Sequence, residues 1–435
     1  MTDFVNKHKR NDMKYLTVTF LVFAILNDMN IIKKSSKLIP IIIICVVVLS
    51  GLGFAAWHYI FSVKTAKKSD TSSNSTNKPS DVKKPDATPK VEVIHMAAMG
   101  DMLAHDTINS NAKTSTGYDY TKYFTNIRSS YSTADVVFCN QEGLSAGDAF
   151  TISGYPSFNA PTKYSADLQN GAGCNLINLA NNHMADKGTA AIAATIDNWA
   201  TLKPLAVSGA NKTADDQNKV SYATVNGIKL GFVSFADFNN NTSIPSYSVN
   251  LYHDEALVRK LVTEARQNSD VVIVSMHWGV EDSTVVSSDQ NNEVNLLNEL
   301  GVDVIIGTGP HVLQKEQTVS RASDGFKTVV WYSLGNMLSS QLNLKELIGG
   351  IAQFDITKVS AGKVTISNLT FTPTYMHYDW TATEAANSDL AARKNAMIYL
   401  LSNAAEPLSR SLLNTTVAEQ KQYVIDTLGT EVTVK

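Results

Sequence analysis

Cysteine is scarce in this chain, and its pattern excludes a common use. Cys45, Cys139 and Cys174 are the three cysteines in 435 residues, and none forms a Cys-x-x-Cys pair, so no structural zinc knuckle is expected. Cys45 falls in a long apolar run. The other two fall in apolar segments and pair only if their Cα atoms come within about 7 Å; two buried free thiols are the favoured reading. Charge is thin as well, at 18% of residues against 44% hydrophobic, which leaves room for a sizeable core in one large domain or two ordinary ones. A basic globular face is missing. Fourteen of the 37 Lys and Arg but six of the 40 Asp and Glu lie in residues 1–90, so that segment carries +8 and the remainder −11. An acidic globular part offers nothing to a phosphate backbone, and nucleic acid is not expected as a partner.

The basic segment surrounds one long apolar stretch, residues 38–61, which is almost uncharged and long enough for a helix to cross a bilayer core of roughly 30 Å. Trp57 and Tyr59 sit near its far end, as interfacial aromatics do, and Lys7, Lys9, Arg10, Lys14, Lys33, Lys34 and Lys37 precede it. The expectation is a cytoplasmic segment 1–37, a membrane helix 38–61 and an extracellular remainder. A cleaved signal peptide is the alternative, but no clear small-x-small site follows. Met29 begins a sequence that reads as a natural start for such an anchor. Residues 62–90 are Lys, Ser, Thr, Asn, Asp and Pro with hardly an apolar side chain, a tether that cannot bury a core.

From Val91 onward short apolar runs alternate with helical patterns. Strands are expected at Val91–Met99, Val136–Asn140, Leu176–Leu179, Val271–Met276, Val302–Ile306 and Thr328–Tyr332. Helices are expected at Thr189–Ala200, Glu255–Asn268 and Glu293–Leu300. Asn226-Gly227 between Val220–Val225 and Lys229–Phe235 signals a hairpin. Gly350–Thr357 and Lys363–Phe371 read as a late antiparallel pair. Continuous apolar strands alternating with helices imply an α/β fold whose sheet is covered by helices. Residues 376–435 read as a mostly helical, polar extension without a chemical cluster.

Polar residues gather just after these apolar strands, where α/β folds place chemistry. Gly100-Asp101 follows the first strand, with His105 and Asp106 beyond it. Asn140-Gln141-Glu142-Gly143 follows the second, and Asn181-Asn182-His183-Met184-Ala185-Asp186 the third. His277-Trp278-Gly279-Val280-Glu281, Gly307-Thr308-Gly309-Pro310-His311 and Ser333-Leu334-Gly335-Asn336 follow later strands. Taken singly, each is a polar turn or a helix cap. Together they place carboxylate, carboxamide and imidazole at successive strand ends, a donor set suited to Mn, Fe or Zn.

In this order the blocks Gly-Asp, Asn-x-Glu, Asn-Asn-His-x-x-Asp-x-Gly, His-Trp-Gly-x-Glu, Gly-x-x-Pro-His and Ser-Leu-Gly-Asn resemble the CapA family of poly-γ-glutamate capsule synthesis proteins, within the calcineurin-like metallophosphatase superfamily. The resemblance covers about residues 91–375. It implies a four-layer α/β/β/α sandwich with one or two divalent metals at an edge of the sheets. By motif, Asp101, Glu142, Asn182, His277 and His311 would be ligands. His183 would be a general acid oriented by Asp186. Asn140, Trp278, Glu281 and Asn336 would line or support the substrate cleft. The membrane, an anionic envelope polymer and other capsule-synthesis membrane proteins are the implied partners.

Two departures bear on function. The family pattern has Gly-x-His-Pro-His, and here Gly309 takes the place of its first histidine. The superfamily's Asp-x-His is also absent, because residue 103 is Leu; His105 would replace it only if the loop turns back. A metal-dependent hydrolase of an envelope polymer and a non-catalytic partner in polymer synthesis or export are both open at this point.

Overall fold

The computed structural model describes residues 89–360 and 362–435. The expected membrane helix at 38–61 and nearly all of the tether at 62–90 lie outside these residues. Among the described residues no helix is long and apolar enough to cross a membrane.

In chain order the strands are β1 (Val91–Leu103), a two-stranded ribbon of β2 (Lys113–Thr114) and β3 (Gly117–Tyr118), β4 (Val136–Glu142), β5 (Leu176–Asn178) and β6 (Ala206–Ser208). There follow β7 (Ser221–Val225), β8 (Ile228–Ala236), β9 (Val271–His277), β10 (Val304–Thr308), β11 (Glu316–Ser320) and β12 (Lys327–Trp331). The last are β13 (Asn336–Leu338), β14 (Ile348–Val359), β15 (Val364–Asp379), β16 (Lys394–Leu400) and β17 (Thr433–Val434). One sheet runs β16-β15-β14-β1-β4-β5-β6, with β13 beside β1 and β17 beside β15; the other runs β11-β12-β10-β9-β8-β7.

The two-residue period of the strands explains how the sheets stack. Along β9, Val271 and Ile273 join the core shared with the first sheet, while Val272, Val274 and Met276 pack under the helices Glu255–Asn268 and Ser288–Glu299. Both faces of β9 are buried, which is why it reads as an apolar run interrupted only by Ser275 before His277. On β4, Phe138 meets Phe232 of the second sheet edge-on, whereas Gln141 points the other way and accepts from Trp199 Nε1 of helix Gly188–Leu202 at 2.9 Å. The order is therefore helices, sheet, sheet, helices.

Local chemistry sets the element ends. Asp254 caps helix Glu255–Asn268 by accepting from Leu257 N. Helix Ser288–Glu299 starts five residues before the expected Glu293, because Ser287 and Gln290 form a reciprocal capping box. Asn226 (φ 50°) and Gly227 (φ 90°) both take positive φ, the backbone that a two-residue hairpin requires.

Two expectations are corrected here. Cys139 and Cys174 are not free thiols but a disulfide, with Cα atoms 5.7 Å apart. Parallel pairing of β4 with β5 brings the two segments side by side, which sequence separation cannot reveal. Residues 376–435 are not a separate helical extension. The expected boundary falls inside β15, and β16 and β17 both pair with that strand. β17 is only two residues long, and Ala396 to Leu400 of β16 is a continuous apolar run that does not by itself separate strand from helix.

Candidate metal centre

The polar clusters converge where the parallel strands of both sheets end. β1 carries Asp101, whose position is set by a register shift between Met99 and Asp101 that places it level with Asn140 of β4. Asp101 is also level with Asn336 of β13. Gly100 makes this crossing feasible: a Cβ there would lie 1.8 Å from Gly335 O. β4 ends in Glu142, β9 ends in His277, and the turn after β10 carries His311 at φ 60°. The turn after β5 carries Asn182 and His183.

Asp101, Glu142 and His277 each offer a donor atom within 4.8 Å of the others, and all three are buried. His277 Nε2 lies 3.1 Å from Asn182 Oδ1 and 3.8 Å from Glu142 Oε1. Its Nδ1 lies 3.1 Å from Thr308 Oγ1, which leaves Nε2 to face the centre. His311 Nε2 is also 3.8 Å from Glu142 Oε1, while its Nδ1 lies 3.1 Å from both Asp101 Oδ2 and Asn336 Oδ1. Both oxygens of Glu142 are buried without a hydrogen-bond partner among the described residues. A buried, unsatisfied carboxyl is costly, and here it faces two imidazoles and an amide oxygen. Lone-pair donors converging on one point fit a divalent cation.

Without a cation the charges oppose one another. Burial pushes the Glu142 carboxyl well above its usual range, against the pull of His311. Burial would also raise Asp101, but the His311 hydrogen bond and charge outweigh it and hold the carboxyl low. Desolvation lowers His277 to about 4, so its ring is neutral and free to ligate. For His311 burial works downward, and the Glu142 and Asp101 carboxylates overcome it, raising the ring to about 10.

His183 stands beside this centre. Its Nδ1 is 2.8 Å from Asp186 Oδ2, and the same carboxylate oxygen accepts from Phe158 N at 2.7 Å. The Phe158 ring packs edge-on against the imidazole, with centroids 4.5 Å apart. The orientation of His183 is thus fixed, and among the described residues Nε2 has no partner.

The four remaining candidates divide. Asn140 is buried; its amide donates to Asp101 Oδ1 at 2.7 Å and accepts from Asn178 at 2.9 Å, so it orients Asp101 and does not line a cleft. Asn336 is similarly used, facing His311 and donating to Gln341 Oε1 and Glu346 O. Trp278 is a core residue: it stacks on Tyr332, and its Nε1 donates to Tyr332 O at 2.8 Å. Glu281 alone is exposed, at the rim. His105 does not join the ligands; its Nδ1 accepts from Ser340 N at 3.4 Å.

The Gly309 departure is built into the backbone. Its φ is +109°, and a Cβ would meet Trp278 O at 2.8 Å and Trp278 N at 3.0 Å. Its N–H donates instead to Asp101 Oδ2 at 3.1 Å. A histidine does not fit there, so this position offers no side-chain donor to a second metal. Sequence reasoning missed Asn240, whose amide is 3.2 Å from His183 Nδ1 and whose N–H donates to Asn182 O. The run Asn239-Asn240-Asn241 after β8 was the available signal.

A family model described as bacterial capsule synthesis protein PGA_cap matches residues 95–341, more than half of the chain. The PGA biosynthesis protein CapA of Bacillus subtilis (strain 168) is 26% identical over 197 residues, covering 44% of this chain and 50% of the relative. The capsule biosynthesis protein CapA of Bacillus anthracis is 30% identical over 176 residues, covering 39% and 41%. The chain thus spans half or less of the length of these curated relatives. Among solved structures, the NAD nucleotidase of Haemophilus influenzae overlaps 80% of this chain and 57% of its own, at a TM-score of 0.38 and 14% identity. TT1561 of Thermus thermophilus overlaps 60% and 93%, at a TM-score of 0.33 and 10% identity. Overlaps this loose carry no argument, and kinship rests on the family model and the sequence relatives.

Proposed function

The chain belongs to the bacterial capsule synthesis protein family PGA_cap, and from that premise we propose that it is a surface-tethered, metal-dependent hydrolase acting on an anionic envelope polymer of the poly-γ-glutamate type. The observation that carries this reading is Glu142, buried with both oxygens unpartnered and turned toward His277 and His311, with the His183–Asp186 pair alongside. The helix–sheet–sheet–helix layering and the oxygen and nitrogen donors at one sheet edge are what a metallophosphatase-like site requires.

Asp101, Glu142 and His277 would hold a divalent metal (Mn, Fe or Zn), with Asn182 and His311 adjoining. Such an ion supplies Lewis acidity and a nucleophile near neutral pH. Asn140, Asn336 and the Gly309 N–H keep Asp101 and His311 in place. Asp186 accepts from His183 Nδ1–H and so directs Nε2 outward. Nε2 passes a proton to the leaving group of a phosphoester or amide bond. Glu281 at the rim disfavours a second anion close to the centre.

An extracellular position, anchored by a helix at 38–61 with other capsule-synthesis membrane proteins as neighbours, belongs to the same proposal. The Cys139–Cys174 disulfide supports it, because such bonds persist in oxidising compartments. Protease applied to intact cells should release a fragment that begins within residues 65–90; a protected cytosolic domain would refute the topology.

Gly309 favours a second reading, a non-catalytic partner in polymer synthesis or export that keeps the fold and one cation. His183→Asn separates the two. A hydrolase loses turnover by about 10²- to 10⁴-fold at unchanged metal content and melting temperature. If His183→Asn cells make normal polymer while His311→Ala cells do not, the hydrolase reading fails.

A further inference from the structure

A cavity of about 550 Å³ includes His105, Lys113, Tyr155, Ser340 and Arg393 in its wall. Two ring contacts link it to the metal centre: His105 packs edge-on against Phe158 at 5.0 Å, and Phe158 packs in turn on His183. One charge and one hydroxyl in this wall are open to a ligand. Arg393 is 6% exposed, and no carboxylate lies within ion-pair distance of it among the described residues. Its Nη1 donates to Ser340 O and its Nε to Leu390 O, and it packs on the rings of Tyr378 and Trp380, so its partners are neutral and leave its charge unbalanced. Ser340 is 3% exposed, and its hydroxyl is buried without a partner. A guanidinium so enclosed gains from an anion brought beside it.

A larger cavity, about 800 Å³, sits around Arg266 and Arg321, but those guanidinium groups are already paired with Asp303 and Asp324. In the cavity lined by Arg393, Asp106 is the one acidic wall residue, and it is occupied by Gly154 N. Lys113 and Arg393 outweigh it.

We propose that this cavity is a subsite that binds a carboxylate of the anionic polymer, through Arg393 and Ser340 with Lys113 at its mouth, while a neighbouring bond of the same polymer lies at the metal centre; this rests on the hydrolase reading above. Arg393 lies in the C-terminal region, past residue 341 where the family match ends. The helix Asp106–Ala112 ties the two regions together, since Asn111 Nδ2 donates to Arg393 O and Thr107 Oγ1 to Leu390 O. The polymer is thus gripped by a segment outside the motif blocks, and Tyr155, exposed at the rim, offers a surface for its methylene groups.

The test is calorimetric titration of the full chain with a short γ-linked glutamate oligomer, the same oligomer with amidated carboxylates, and inorganic phosphate. The charged oligomer should bind, and Ser340→Ala and Arg393→Gln should each weaken it by about tenfold or more, the usual worth of a hydrogen bond to a charged group. Because Arg393 also holds two carbonyls, Lys113→Glu at an exposed position repeats the test without disturbing the fold. Equal binding of the amidated oligomer, displacement by phosphate without any oligomer binding, or unchanged affinity in both Ser340→Ala and Lys113→Glu overturns the subsite. Charge-dependent binding sensitive to these residues, without turnover of any polymer, keeps the subsite and defeats the hydrolase; turnover with a KM indifferent to them does the reverse.

Discussion

The N–H of Gly309 donates to the Asp101 carboxylate at 3.1 Å, and the backbone that makes this bond leaves no room for a side chain. Where the family motif has an imidazole, this chain has a backbone donor that locks the carboxylate. Gly309→Ala should therefore destabilise the fold by roughly 1–3 kcal/mol, the cost of strain at such a position. Gly309→His should do at least as much harm and should not raise metal content. Urea denaturation together with metal analysis of both variants checks this; a stable Gly309→His protein with a second metal would contradict it.

Metal binding should stabilise the chain by mass action, by about 2.7 kcal/mol when free metal is a hundredfold above its dissociation constant. Glu142→Gln and His311→Ala should each abolish most of that gain. In the absence of metal, Glu142→Gln should melt no lower than the unaltered chain, because Glu142 there is a buried carboxyl without a partner. Thermal melts with and without Mn²⁺ or Zn²⁺ distinguish the two effects.

The Cys139–Cys174 bond closes a sequence separation of 35 residues. On loop-entropy grounds its loss should cost about 3 to 4 kcal/mol. A Cys139→Ala, Cys174→Ala double variant should match the reduced protein in melting temperature, and a reductant should leave the variant unaffected.

Glu316 supplies a pH test remote from the metal. It is buried with both oxygens unpartnered, and desolvation, aided by Glu431 and opposed by Thr318, raises it to about 7. A raised carboxyl is protonated in the folded chain when the unfolded chain has already ionised. Its contribution is complete below the ordinary glutamate range and is lost as pH rises through about 7. Denaturation midpoints should fall between about pH 5 and pH 8, and Glu316→Gln should flatten that slope; an unchanged slope would exclude Glu316 as its source.

Much of the fold was legible because local and tertiary requirements agree. Val271–Met276 is apolar on both faces, so it reads as a buried strand whatever surrounds it, and β9 extends it by one residue to His277. Helix Glu255–Asn268 matches its expected span because Asp254 caps it and its apolar positions recur on one face. That Asp101, Glu142, Asn182, His277 and His311 gather near one point was foreshadowed by polar blocks that follow apolar runs, while the roles given to them and to His183 rest on the family resemblance. Pairing and direction were not. Sequence made Asn140, Trp278 and Asn336 look like cleft residues, whereas strand register turned two of them toward Asp101 and His311 and core packing claimed the third. The disulfide depends on β4 lying beside β5, and the charge of Arg393 matters only because the C-terminal segment folds back against helix Asp106–Ala112. A sequence determines which residues leave a strand end, since that is a local property. Which of them face one another across two sheets is decided by twist, register and burial, and those exist only once the chain has folded.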